Sequence, residues 1–335
     1  MKFKRILSII FAMLLIISSL PICVFASEPI DANSLDEIAN GTIEIQMDDN
    51  VILYKNIDCF VETVKETFPE INDIDIAKFI LDYSKKDYSN FSDDMILEAI
   101  SYKEIYVSEE YIKVTDYGEV EYLSKEEAEK AIRLEKINEN LSRASWTSPN
   151  GYMKITTTAS HNKTSGNKKY YIIDSKATWL QMPVCFFKDV FVLNHTGTYD
   201  DSYTGTGYLS ETLNCCTSSK NYKDTATTAK NGSNVVFEYP NTNVAAIRFG
   251  LVSSSGYTCN RITSGSHSRA VSGIESYIKY RIIVNSGSSA NVQGAYCHKQ
   301  VSVGSIGIGI TSGSVSFSLA GSKKEYKASP ITIKA

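Results

Sequence analysis

From Tyr152 to the C-terminus no run of ten residues carries a helical pattern, and this constrains the fold more than any other feature of the 335-residue chain. Apolar residues there recur in short stretches, alternating or continuous. Strand candidates fall at 152–160, 169–181, 184–195, 206–214, 234–239, 244–253, 276–285, 292–303, 305–311, 314–320 and 325–334. Turn sequences such as Thr164-Ser165-Gly166-Asn167 and Asn285-Ser286-Gly287-Ser288 separate them. Many short strands joined by such turns predict an antiparallel β-sandwich or barrel. About 185 residues suffice for one such domain with a full core.

The preceding segment is of another kind. Residues 27–145 hold 29 Asp and Glu against 12 Lys and Arg, while residues 146–335 hold 9 against 19. The formal charge of −4 conceals this split. Opposite charge on two parts of one chain favours their docking and gives each part different partners.

Helical spacing appears at Ile57, Phe60, Val61, Val64 and Phe68, and again from Ile74 to Tyr83. Ser92, with Asp93 and Asp94, caps a third helix. Tyr111–Thr115 and Glu119–Leu123 alternate around Asp116-Tyr117-Gly118, which reads as a hairpin. Ser124-Lys125-Glu126-Glu127 is a capping box that opens a helix to about Leu141. Thr42–Met47 is a further strand candidate. The expected fold class is therefore α+β with two domains. An acidic α-rich domain with one β-hairpin (27–142) is followed by a linker (143–151) and a basic β-sandwich domain (152–335).

Residues 1–26 form a tripartite secretory signal. Lys2, Lys4 and Arg5 are its basic start, Ile6–Leu20 its apolar run, and cleavage is expected between Ala26 and Ser27. The expected location is extracellular, and the long Leu/Ile core has a Gram-positive bacterial flavour.

Trp179-Leu180-x-Met182-Pro183, followed by Asp189, is the densest apolar signature and reads as a core strand ending at a Pro turn. With the acidic helical front segment, it resembles a group of secreted Firmicutes proteins over roughly residues 105–195. The resemblance implies architecture and export, and no activity.

Signatures of catalysis are sparse. His161, His195, His267 and His298 form no His-Glu-x-x-His motif, and no Gly-x-Ser-x-Gly or phosphate-binding glycine loop occurs. A Cys–His pair drawn from Cys185, Cys259 or Cys297 with His195 or His298 has no flanking signature. Asp48-Asp49-Asn50 lacks the spacing of a calcium loop. No cofactor or metal is expected. Export permits disulfides, with Cys185, Cys215, Cys216, Cys259 and Cys297 as candidates.

One hairpin has a second reading. Ile306, Ile308 and Ile310, then Val315, Phe317 and Leu319, alternate with small residues around Thr311-Ser312-Gly313-Ser314. The pattern suits a core hairpin, and it also suits a membrane-inserting hairpin of a pore-forming protein. The expected function is non-enzymatic: binding of anionic polymers, glycans or membranes at a cell surface. The acidic half would be a prosegment or regulatory domain in contact with the basic half. A structural or adhesive surface protein and a hydrolase with an unlocated site are the alternatives, and nucleic acid is not an expected partner.

Overall fold

The computed structural model describes residues 42–335 except 87, 90, 116–118, 142–149, 182–187, 216–217, 228–234, 239–242, 251–268, 300–306, 312–313 and 319–322. The signal segment and its Ala26–Ser27 junction thus lie outside the described residues.

The chain begins with β1 (Ile43–Asp48) and β2 (Val51–Lys55). Helices α1 (Ile57–Thr67), α2 (Asp73–Tyr83) and α3 (Asp93–Leu97) follow, then a 3-10 turn at Glu98–Ser101. Next come β3 (Glu104–Thr115), β4 (Val120–Leu123) and α4 (Lys125–Leu141). From there the described elements are all strands: β5 (Asn150–Ser165), β6 (Lys168–Gln181), β7 (Lys188–His195), β8 (Thr198–Tyr199), β9 (Thr206–Cys215), β10 (Ser218–Thr227), β11 (Val235–Glu238) and β12 (Val244–Gly250). The last are β13 (Arg269–Asn285), β14 (Ser289–Lys299), β15 (Gly307–Thr311), β16 (Ser314–Ser318), β17 (Lys323–Lys327) and β18 (Ile331–Lys334).

Local chemistry accounts for the helices. Asn72 and Ser92 accept from Asp75 N and Met95 N at the starts of α2 and α3, as good N-caps do. Ser124 Oγ accepts from Glu127 N at 3.2 Å while the Glu127 carboxylate accepts from Ser124 N at 2.8 Å, so the capping box forms as expected.

The fold is a β-rich α+β structure built on antiparallel strands. The first sheet runs β1-β2-β3-β5-β6-β13-β9-β10, with β4 on β3 and β8 on β13. The second runs β11-β12-β7-β14-β17, with β18 also on β14. The β5–β6 hairpin turns at Gly166, whose φ of 59° favours glycine.

The expected linker does not separate a helical unit from a β unit. Residues 150–151 already belong to β5, and β3 pairs with β5 at twelve positions from Glu104↔His161 to Thr115↔Asn150. Strands on both sides of the boundary make one sheet, and residues 42–335 form one compact unit. The physical reason is that β3 is too apolar to be left with an unpaired edge: Ile105, Val107, Ile112 and Val114 are all buried.

Both sheets contribute to one apolar core. Ile155, Ile173, Trp179 and Tyr280 come from the first sheet, and Phe191, Leu193, Ile247 and Tyr296 from the second. Each such buried side chain contributes about 1.5–3 kcal/mol. Four polar side chains at one end of it are joined in a chain. Trp179 Nε1 donates to Tyr296 Oη at 3.1 Å, Tyr296 Oη donates to Asp189 at 2.5 Å, and His298 Nδ1 lies 2.9 Å from the other Asp189 oxygen. The Trp179 signature and Asp189 are thus joined through β14.

The sheets approach closely at Gly294. A Cβ there would lie 2.2 Å from Ser175 Oγ and 2.7 Å from Thr157 Oγ1. Only glycine allows β14 to sit over that hydroxyl pair.

Candidate functional site

Strand alternation sends every second residue of the first sheet away from the core. On β5 these are Lys154, Thr156 and Thr158; on β6, Thr178, Lys176 and Asp174; on β13, Glu275, Tyr277 and Lys279. The register aligns them in three rows: Lys154–Thr178–Glu275, Thr156–Lys176–Tyr277 and Thr158–Asp174–Lys279. A polar sheet face of this kind is normally solvated. Here much of it is buried, because helices from the acidic half lie over it, and its charges are paired.

Lys86 follows α2 and forms an ion pair with Asp174, each side chain 4% exposed. Thr158 Oγ1 donates to the same Asp174 oxygen at 2.8 Å. Lys279 pairs with Glu98 of the 3-10 turn, whose carboxylate also accepts from Tyr203 Oη at 3.0 Å. Burial pushes the Lys279 ammonium below its ordinary value, and Glu98 opposes that push. Lys176 pairs with Glu275 at 2.8 Å, and Lys154 with Glu109 of β3 at 2.5 Å. Arg281 Nε donates to Asp200 at 2.6 Å. Burial raises the Asp200 carboxyl, but hydrogen bonds from Ser202 and Arg281 outweigh it and hold the group low.

Lys86 reaches the sheet because of how α2 ends. Lys86 N donates to Leu81 O at 2.7 Å and Lys85 N to Asp82 O at 2.9 Å. These are the two bonds of a Schellman motif, and they place Lys85 in the left-handed region with φ 56°. Glycine is the usual residue there, and a side chain costs about 1–2 kcal/mol. Backbone strain of this kind concentrates at functional sites.

The helices leave a groove over the sheet face. A cleft of about 240 Å³ lies between the α2–α3 connection and the sheet, lined by Lys85, Lys86, Phe91, Lys154, Thr156, Thr158, Asp174, Lys176, Thr178, Leu180 and Tyr277. A wider hollow of about 640 Å³ adjoins it at Lys154 and Leu180 and runs under α4 past Lys125, Glu129, Ile132 and Arg133. A third, of about 480 Å³, shares Lys85 and Lys86 and reaches Asp82 and Tyr88. Six basic side chains line these hollows (Lys85, Lys86, Lys125, Arg133, Lys154, Lys176) against three acidic ones (Asp82, Glu129, Asp174). Among the described residues no ion pair engages Lys85, Lys125 or Arg133.

Tyr277 is the buried end of the cleft. It is 1% exposed, its ring stacks on Tyr208 at 5.0 Å and tilts against Phe91 at 5.1 Å, and its hydroxyl has no hydrogen-bond partner. Burial, and then the Asp174 charge, push that hydroxyl well above its ordinary value, so it stays a donor.

None of these residues was singled out as a site from sequence. The signal that marks them is the alternation of 169–181, which sets Asp174, Lys176 and Thr178 on one face.

The residues that were singled out lie elsewhere. Cys185, Cys216 and Cys259 fall outside the described residues, as do Ile306 and Leu319. Cys215 ends β9 opposite Ser218 and Arg269. Cys297 is buried with Val190, Val192, Val244, Ala246 and Ala295 on the outer face of the second sheet. His298, the next residue, points to the opposite face and is engaged by Asp189, so Cys297 and His298 do not form a nucleophile–base pair.

β15 and β16 pair as a hairpin with Ile308↔Phe317 and Ile310↔Val315. β16 lies against both β7 and β14, which are neighbouring interior strands of the second sheet.

Among the described residues, no helix is long and apolar enough to cross a membrane, and no group of three or more His, Cys, Asp and Glu is placed to hold a metal. No protein-family model matches the chain, and no curated protein is significantly similar to it.

Proposed function

We propose that the chain is a secreted, non-enzymatic protein that holds an acidic polymer at a cell surface in the groove between its helices and its first sheet. The excess of basic side chains in that groove, in a chain whose net charge is −4, carries the reading. Three adjoining hollows suit an extended ligand better than a compact one, and a groove with an excess of one sign of charge concentrates ligands of the other.

The two sheets are read as one β-sandwich with a helical cover, and the acidic half as a lasting part of the binding unit. Lys85, Lys86, Lys125 and Arg133 all belong to that half. Removing residues 27–142 as a prosegment would strip β3 from β5 and leave Asp174 and Lys279 without Lys86 and Glu98. Breaking buried pairs in that way is strongly destabilising. The hairpin at β15–β16 is read as the cover of the second apolar cluster, not as a membrane-inserting element.

Retention of the mature chain on immobilised polygalacturonate, polyphosphate and neutral dextran tests the reading. Binding to either polyanion, weakening with salt, absent on dextran and reduced about tenfold in Lys125→Glu/Arg133→Glu is expected. Equal retention on dextran, or indifference to the double reversal, would contradict it.

A further inference from the structure

Resting on the reading of the groove as a polyanion site, we infer that the 240 Å³ cleft is a subsite for a single anionic pyranose, a uronic acid unit of the polymer. Its volume lies below the roughly 300–1,000 Å³ of drug-sized pockets, so it admits one ring and not a longer segment.

The lining matches the parts of such a ring. Phe91 and Leu180, both half-buried, supply apolar surface for the carbon face of a pyranose. An inorganic anion has no use for such surface. Thr156 and Thr178 stand on adjacent strands, half-buried, with hydroxyls suited to sugar hydroxyls. Lys85 brings a cation to the rim at a backbone position where glycine would be the easier choice. A carboxylate is the complement of that ammonium.

Tyr277 adds an observation that the fold alone does not explain. Tyr277 lines the cleft and its buried hydroxyl has no hydrogen-bond partner; an unpaired buried donor is unfavourable unless something fills the role of acceptor. A ring or carboxylate oxygen of the sugar supplies it. Asp174 does not oppose this arrangement, because Lys86 and Thr158 already engage it.

Calorimetric titration of the mature chain with D-glucuronate, D-glucose and inorganic phosphate tests the assignment. Glucuronate should bind saturably, and glucose and phosphate at least about tenfold more weakly. Tyr277→Phe should weaken glucuronate about tenfold while leaving the thermal midpoint unchanged or raised, because the variant removes an unpaired buried group. Lys85→Gly should weaken it similarly, again without loss of stability.

Phosphate binding as tightly as glucuronate would overturn the sugar assignment, and glucose binding as tightly would overturn the anionic one. A clear fall in the midpoint of Tyr277→Phe would show the hydroxyl to be structural and overturn its role. Loss of glucuronate binding in Tyr277→Phe with polyphosphate retention intact locates the effect in the cleft. Absence of polyanion retention in the unmodified chain would instead remove the reading on which the cleft assignment rests.

Discussion

Lys86 and Asp174 form an ion pair with both side chains 4% exposed, although 88 positions separate them in the chain. The pair joins the end of α2 to the middle of the first sheet. The Lys86 ammonium also lies 5.6 Å from the centre of the Tyr102 ring, and Asp174 accepts from Thr158. Such a site withdraws two charges from water, so its value lies in being complete.

Breaking the pair from one side should therefore cost more than replacing both partners. Lys86→Met or Asp174→Leu alone is expected to lose about 3–5 kcal/mol, and the double variant far less. Urea denaturation of the four proteins measures this as a double-mutant cycle. Additive losses would show that the two charges are independently solvated.

Gly294 provides a second test, through packing. An alanine Cβ would meet Ser175 Oγ and Thr157 Oγ1 well inside contact distance, forcing β14 away from β5 and β6. Gly294→Ala should cost about 1–3 kcal/mol, and adding Ser175→Ala should recover part of it. An unchanged urea midpoint for Gly294→Ala would mean that the sheets are not this close.

His161 gives the fold a pH dependence near neutrality. Its Nε2–H donates to Lys163 O at 3.2 Å, and burial lowers its pKa below 6.5, more than Glu104 raises it. Below about pH 6.5 the unfolded chain takes up a proton that the folded chain refuses. This contribution to stability is therefore full above the unfolded pKa and is lost as pH falls from there toward the folded value. The slope is at most about 1.4 kcal/mol per pH unit. Stability measured from pH 7.5 to 5 should fall more steeply for the natural chain than for His161→Gln. Parallel curves would remove His161 from the account.

Much of the local structure was legible in the sequence, because it depends on near neighbours. The Trp179 signature reads as a core strand and Trp179 lies in the core, and the Ser124 capping box marked the start of α4. β10 was not legible. Ser218–Thr227 is polar, and as an edge strand paired only with β9 it needs no apolar stripe. β2 was missed because Val51–Lys55 is short and follows an acidic turn, although β1 and β3 enclose it.

The groove was hidden for a different reason. Lys85, Lys154, Lys176 and Tyr277 lie on four separate elements, and the pairing of β5 with β6 and of β6 with β13, with the Lys86–Asp174 ion pair, brings them together. Charge composition pointed to an anionic partner through the basic half. It gave no sign that the acidic half supplies Lys85, Lys125 and Arg133 to the same groove.

Hydrogen–deuterium exchange of the mature chain with and without polygalacturonate tests the central claim most directly. Protection should appear together in three separate segments: the α2–α3 connection around Lys85, the first turns of α4 from Lys125 to Arg133, and the β5 and β6 positions from Lys154 to Leu180. It should fade as salt is raised. Protection confined to one of these segments, or centred on the second sheet and the β15–β16 hairpin, would contradict the account.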